Sequence, residues 1–136
     1  MPKITIQTNI NNKIEAVWNA WTNPSDITKW CYASEDWEAP HAENDVRPGG
    51  KFKTTMAAKD GSMSFDFTGK YTQVVKHKLI AYKIDDGRNV EIQFIESPEG
   101  VQVIETFDPE NLHPEDMQRQ GWQAILDNFK KYVETN

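Results

Sequence analysis

The chain has 136 residues and a mass of 15.7 kDa, the size of one domain that can bury a core without disulfides or metals. Its 15 Lys and Arg against 21 Asp and Glu leave a net charge of −6 and a pI near 5.0, a balance that disfavours nucleic acid and anionic membrane surfaces as partners. Mean hydropathy is −0.74 and Cys31 is the single cysteine; no membrane insertion, internal disulfide or multi-cysteine metal site is therefore expected, and with no secretory leader pattern the expected location is the cytoplasm.

Ile4, Ile6, Thr8 and Ile10 alternate with Lys3, Thr5, Gln7 and Asn9, the period of a half-buried strand. Asn12 with Glu15 three positions on reads as a capping box, and Ile14, Val17, Trp18 and Trp21 follow at helical spacing to about Thr22. Asn23-Pro24 restarts a second short helix that turns Ile27 and Trp30 inward. From Glu35 to Pro109 the signals are strand and turn. Pro48-Gly49-Gly50, Asp60-Gly61, Asp86-Gly87 and Ser97-Pro98-Glu99-Gly100 punctuate apolar alternations that run Phe52/Thr54/Met56, Met63/Phe65/Phe67/Tyr71, Ile80/Tyr82/Ile84, Val90/Ile92/Phe94 and Val101/Val103. Short turns between consecutive strands imply an antiparallel meander. A last helix is expected from about Pro114 to about Glu134, with Glu115 and Asp116 in its first turn and Lys130 and Lys131 in its last.

That helix has one apolar stripe, Trp122, Ile125, Leu126, Phe129 and Val133, whereas the strands offer far more apolar face. The expected class is therefore α+β, with a curved antiparallel sheet of six or seven strands wrapped around the long C-terminal helix. Gly69, between Phe67 and Tyr71, is the expected bulge. Five Trp, six Phe and four Tyr make the core aromatic, and a hollow is expected where sheet and helix diverge. Trp30, Phe52, Met56, Phe65, Phe67, Tyr71, Tyr82, Phe94, Trp122, Ile125 and Phe129 are the candidate lining residues. Gly121, in a helix where Ala would be cheaper, is expected to admit a close strand or leave room at the cavity, so Gly121→Ala is not expected to stabilise.

The segments Val17-Trp18-Asn-Ala-Trp21-Thr22-Asn-Pro24, Asp45-Val-Arg47-Pro48-Gly49-Gly50-Lys-Phe52, Gly69-Lys-Tyr71 and Gly121-Trp122-Gln-Ala-Ile-Leu126, with Trp30 and Asp60-Gly61, carry a family resemblance. From Ile4 to Glu134 the chain resembles the branch named for the activator of heat-shock-protein-ninety ATPase, the AHSA-type branch of the START and birch-pollen-allergen-like SRPBCC superfamily. One departure is Lys13, where this branch usually carries proline. The resemblance implies a single helix-grip domain over residues 1–136 with a ligand-sized cavity. It implies less about activity, since the superfamily includes lipid carriers, hormone receptors, polyketide cyclases or aromatases and a cochaperone.

Arg47 is a candidate anchor for a ligand carboxylate, the alternative being a turn held by Asp45 and Arg47. His41, His77 and His113 are dispersed and have no partners at metal-ligand spacing, so neither a metal nor a cofactor is expected. Cys31 reads as a core residue. Asp66 alternates with Phe65 and Phe67 toward solvent, Glu105 lies near a strand end, and neither reads as a buried general acid or base, which leaves no catalytic residue. The expected function is binding of a small hydrophobic or aromatic ligand without covalent chemistry, by a monomer or weak homodimer. The alternatives are a cyclase- or aromatase-like enzyme on an aromatic or polyketide precursor, and a cochaperone-like protein with a chaperone partner.

Overall fold

The computed structural model describes residues 2–135. Strand β1 (Ile4–Ile10) is followed by helices α1 (Ile14–Thr22) and α2 (Pro24–Trp30). Six strands come next, β2 (Trp37–Asn44), β3 (Lys51–Ala58), β4 (Ser64–Val75), β5 (Leu79–Ile84), β6 (Asn89–Ser97) and β7 (Gly100–Phe107), and then helix α3 (Glu115–Thr135). The strands form one seven-stranded sheet in the order β1-β7-β6-β5-β4-β3-β2, with every pairing antiparallel. The sheet curls into a half-barrel around α3, so the class expected from the alternation is the class observed.

Strand order decides where the helices go. β1 pairs with β7 at one edge and β2 is the opposite edge, so α1 and α2 must carry the chain across the concave side between them. Ile14, Val17, Trp18 and Ala20 of α1 and Ile27 and Trp30 of α2 are buried there. Asn23 accepts a hydrogen bond from the Ser25 backbone N–H at 3.1 Å, the cap that Asn-Pro implies. The capping box expected at α1 is not made. Lys13 occupies the cap position without a side-chain bond, and Asn12 instead donates from Nδ2 to the Val133 carbonyl at 3.1 Å, tying the start of α1 to the end of α3.

β2 escaped the alternation pattern because Pro40 interrupts it. Pro lacks the N–H that a central strand must donate, and here it lies on an edge strand where the register with β3 shifts between Glu38 and His41. The bulge expected at Gly69 lies elsewhere. Gly69 pairs regularly with Phe52 and Ile84, and the shift in the β4–β5 ladder falls between Tyr71 and Gln73. Gly69 has a different task, since a Cβ there would stand 2.7 Å from the Phe52 ring and 2.7 Å from the Lys83 carbonyl oxygen. The missing side chain lets Phe52 lie across the strand and meet Tyr82 edge to face, ring centres 4.7 Å apart.

α3 packs over β1 and against α1 and α2. Its 21 residues span about 30 Å at ~1.5 Å per residue. Leu126, Phe129 and Val133 are buried in the second half of the helix, together with Ile4, Ile10, Val103 and Phe107 of the sheet. α3 continues to Thr135, which places Lys130 and Lys131 one turn inside its end. Lys130 there donates to the Asn9 carbonyl and to Glu134.

Candidate functional site

The first half of α3 stands away from the strands it faces, and a pocket of about 480 Å³ opens between them. β3 contributes Phe52, Thr54 and Met56, β4 contributes Phe65, Phe67 and Tyr71, and β5 contributes Tyr82. These are alternate positions on neighbouring strands, so the pleat turns them all to the concave side. Met117, Gln118, Gly121, Trp122, Ile125 and Leu126 form the helical wall, and Trp21, Ile27, Trp30 and Cys31 close the inner end. Trp122 stacks on Phe107 with ring centres 3.9 Å apart and meets Phe67 edge to face at 6.3 Å. That indole bridges α3 to β7 and β4.

Of the residues expected to line a cavity, Trp30, Phe52, Met56, Phe65, Phe67, Tyr71, Tyr82, Trp122 and Ile125 border this pocket. Phe94 and Phe129 do not. Phe94 packs between Trp18 and Trp21, and Phe129 meets Trp21 at 4.9 Å and Trp30 at 4.7 Å, because α1 and α2 supply rings that fill the concave side at that end. Arg47 is also outside the pocket. Its Nε donates to Asp45 Oδ2 at 2.9 Å and its side chain is 73% exposed, so it holds the turn. The arginine at the pocket is Arg88, drawn to Asp86 at 2.8 Å. Gly121 borders open space, with nothing beyond its chain neighbours and its own helical backbone within 4 Å of where its Cβ would be, so no strand approaches it and the missing side chain adds to the hollow.

The charged groups at the rim are paired. Glu43 bonds His41 at 2.8 Å, and Glu110 bonds His113 at 3.0 Å. Gln118, buried on α3, accepts from the Glu110 backbone N–H at 2.8 Å and donates to the carbonyls of Glu110 and His113, which moors the loop before α3 against the mouth. Asn44 accepts from the Tyr71 hydroxyl and donates to the Thr22 carbonyl at 2.8 Å, fixing β2 to the end of α1.

Inside the pocket the exception is Glu105. It faces inward and is buried, contrary to the expectation that a residue near this strand end is not a buried acid. Glu105 lies opposite Ile6 and Ile92 in the sheet and shares parity with Val101, Val103 and Phe107, all buried, and it is itself 6% exposed. Among the described residues no hydrogen bond or ion pair reaches its carboxyl group, whose oxygens open onto the pocket. Burial pushes it up to about 8, so the acid is mostly neutral at pH 7. Burial and then Glu105 push the Cys31 thiol up to about 12, which removes the thiolate a nucleophile would need. Burial, with Glu105, Tyr71 and Cys31, holds the Tyr82 phenol well above its ordinary range. Among the described residues no group of three or more His, Cys, Asp or Glu is arranged to hold a metal ion, and no helix is long and apolar enough to cross a membrane.

The family model described as Activator of Hsp90 ATPase homolog 1-like protein matches residues 11–134. The solution structure of an AHSA1-like protein from Aeromonas hydrophila is similar, with 48% identity and a TM-score of 0.93 over 98% of this chain and 93% of that one. A protein from Cytophaga hutchinsonii shares 51% identity at a TM-score of 0.85, again over 98% and 93%. The fold alone is shared with a Chromobacterium violaceum protein, 22% identical at a TM-score of 0.89 with both chains fully covered. No curated protein matches the chain.

Proposed function

The chain belongs to the family of Activator of Hsp90 ATPase homolog 1-like proteins, and from that premise we propose that it binds a small hydrophobic or aromatic molecule in the pocket beneath α3 and performs no covalent chemistry of its own. The observation that carries this reading is the pocket itself: about 480 Å³, within the ~300–1,000 Å³ typical of small-molecule sites, and walled by aromatic side chains with few polar groups inside. Burying on the order of 200 Å² of ligand there would contribute about 5 kcal/mol before association costs. The same reading takes the protein to be cytoplasmic, monomeric or weakly dimeric, independent of any cofactor, and without nucleic-acid or membrane partners. Wild type and Gly121→Phe, which projects a ring into open space, are incubated with a cell extract, and bound small molecules are identified by mass spectrometry. A compound retained by wild type and lost from the filled variant supports the proposal. Equal recovery from both refutes it.

Glu105 favours a second reading, acid-assisted cyclisation or dehydration of a bound aromatic precursor, because a buried neutral carboxyl is a proton donor. Turnover of the identified ligand by wild type, abolished in Glu105→Gln while binding persists, would select it. The name of the family raises a chaperone partner as the competing interpretation, and a chaperone retained on immobilised protein equally well with the pocket filled would favour that instead.

A further inference from the structure

Inside the pocket Thr54, Tyr82 and Glu105 are nine-tenths buried and make no side-chain hydrogen bond among the described residues; Glu105 is the carboxylic acid of the three, and it acts electrostatically on Cys31, in the segment after α2, and on Tyr82, on β5. Glu105, Cys31 and Tyr82 each interact electrostatically with another, so they form one patch on the inner wall. We propose that Glu105 is the polar anchor of this pocket and that, with Tyr82 beside it, it donates a hydrogen bond through its carboxyl O–H to the carbonyl oxygen of an uncharged aromatic ligand. The inference rests on the small-molecule reading above and adds to it the chemistry of the ligand.

The groups that face the patch decide between ligand classes. β1 and β6 present Ile6 and Ile92 on either side of Glu105. α3 presents Gln118, Gly121, Trp122, Ile125 and Leu126 to the pocket, none of them titratable. Tyr71 on β4 and Arg88 after β5 act on Tyr82, and Arg88 is engaged by Asp86. At the rim His113 is engaged by Glu110 and Glu43 by His41, so among the described residues no free cation awaits an anionic ligand, which would bring a second negative charge toward a buried carboxyl. A cationic ligand would have to ionise Glu105 against its burial, and would then meet the O–H of Tyr82 and the S–H of Cys31, both of which keep their protons. A carbonyl oxygen needs donors and finds them. An apolar ligand of the same size would displace solvent from the Glu105 carboxyl and return nothing, so the carboxyl discriminates between the two.

The test uses three probes of one shape, 2-acetylnaphthalene, 2-ethylnaphthalene and 2-(2-naphthyl)ethylamine, in equilibrium dialysis at pH 6 and 9.5 against wild type, Glu105→Gln and Glu105→Leu. The ratio of ketone to hydrocarbon affinity at pH 6 is expected to fall roughly three- to tenfold in Glu105→Leu, the size of one net hydrogen bond. In wild type the ratio is expected to fall by a similar factor from pH 6 to pH 9.5, as Glu105 ionises. Glu105→Gln retains an N–H donor and should keep the preference at both pH values. Hydrocarbon binding with the same ratio in all three proteins overturns the inference and leaves the pocket reading standing. Preference for the amine, growing with pH, overturns it in favour of a carboxylate counter-ion. Failure of all three probes to bind overturns the pocket reading and this inference together.

Discussion

The two halves of α3 lie over the same sheet and carry similar side chains, yet one is packed and the other borders a hollow. Beneath the second half, Phe129 and Val133 are at most 3% exposed and neither borders the pocket. Beneath the first half, Gly121, Trp122 and Ile125 line open volume and Met117 is 57% exposed. The difference is what lies opposite. α1 and α2 cross the concave side only at the second half, where Trp18, Trp21 and Trp30 fill the space and Asn128 donates to the Trp30 carbonyl at 2.7 Å. No element performs that task at the other end, so the pocket results from the route of the chain between the two sheet edges and not from a change in the helix.

The contrast predicts unequal costs for the same substitution. Phe129→Ala removes a ring that is fully buried between two indoles, and a loss of about 3–5 kcal/mol is expected in denaturant unfolding. Phe65→Ala, at the open end where the ring is 48% exposed, should cost no more than about 1 kcal/mol. Equal losses would mean that both ends are packed alike, and the distinction between core and pocket would collapse.

Glu105 sharpens the comparison through pH. Its carboxyl is held at about 8 in the folded protein, against 4.5 for the ordinary group. The neutral acid is thus favoured by folding, and its contribution is fully present below pH 4.5, declines as pH rises through the interval to 8, and is lost above it. Glu105→Gln carries no such titration. The variant should gain on wild type by on the order of 3 kcal/mol between pH 4.5 and pH 7, and the gain should level off above pH 8. Denaturant unfolding of both proteins across this range measures it. A stability difference independent of pH would place the carboxyl in water.

Gly69→Ala tests the sheet side of the pocket. The added methyl would stand 2.7 Å from the Lys83 carbonyl oxygen, which belongs to the backbone and cannot swing aside, and 2.7 Å from the Phe52 ring. A loss of about 1–3 kcal/mol is expected in denaturant unfolding. Ligand uptake should fall with it, because Phe52 is displaced from the pocket wall. A neutral result would show that the strand relaxes freely there.

Most of the architecture was legible because strand period and turn chemistry are local. Phe52, Phe67, Tyr71 and Tyr82 reach the concave face by parity alone. Phe94 and Phe129 have the same parity or helical phase as true lining residues, but whether an inward ring meets a cavity depends on α1 and α2, far away in sequence. Arg47 and Arg88 each sit two residues after an aspartate in a turn and bond to it; only the three-dimensional path of β5 and β6 brings one of them to the pocket. Glu105 was in the pattern too, at alternate spacing from Val101, Val103 and Phe107. Not reading it as a buried acid followed the usual cost of burying a carboxylate, a cost that is avoided here by keeping the proton.

The smallest effect belongs to Gly121, where the structure favours room at the cavity over a close strand, the two roles expected from the sequence. A glycine kept in a helix against its propensity suggests a neighbour that would clash with a side chain, yet beyond its chain neighbours and its own helical backbone nothing lies within 4 Å of the missing Cβ. Gly121→Ala therefore gains the helix propensity that glycine forgoes, up to about 1 kcal/mol, with no overpacking to offset it. What the substitution removes is volume, because the methyl projects into the pocket. Stability and uptake should then move in opposite directions along the series Gly121→Ala, Gly121→Leu and Gly121→Phe, with stability at or above wild type while the largest probe that still binds becomes smaller. A packed glycine would make both fall together. Denaturant unfolding beside dialysis with aromatic probes of increasing size separates the two outcomes.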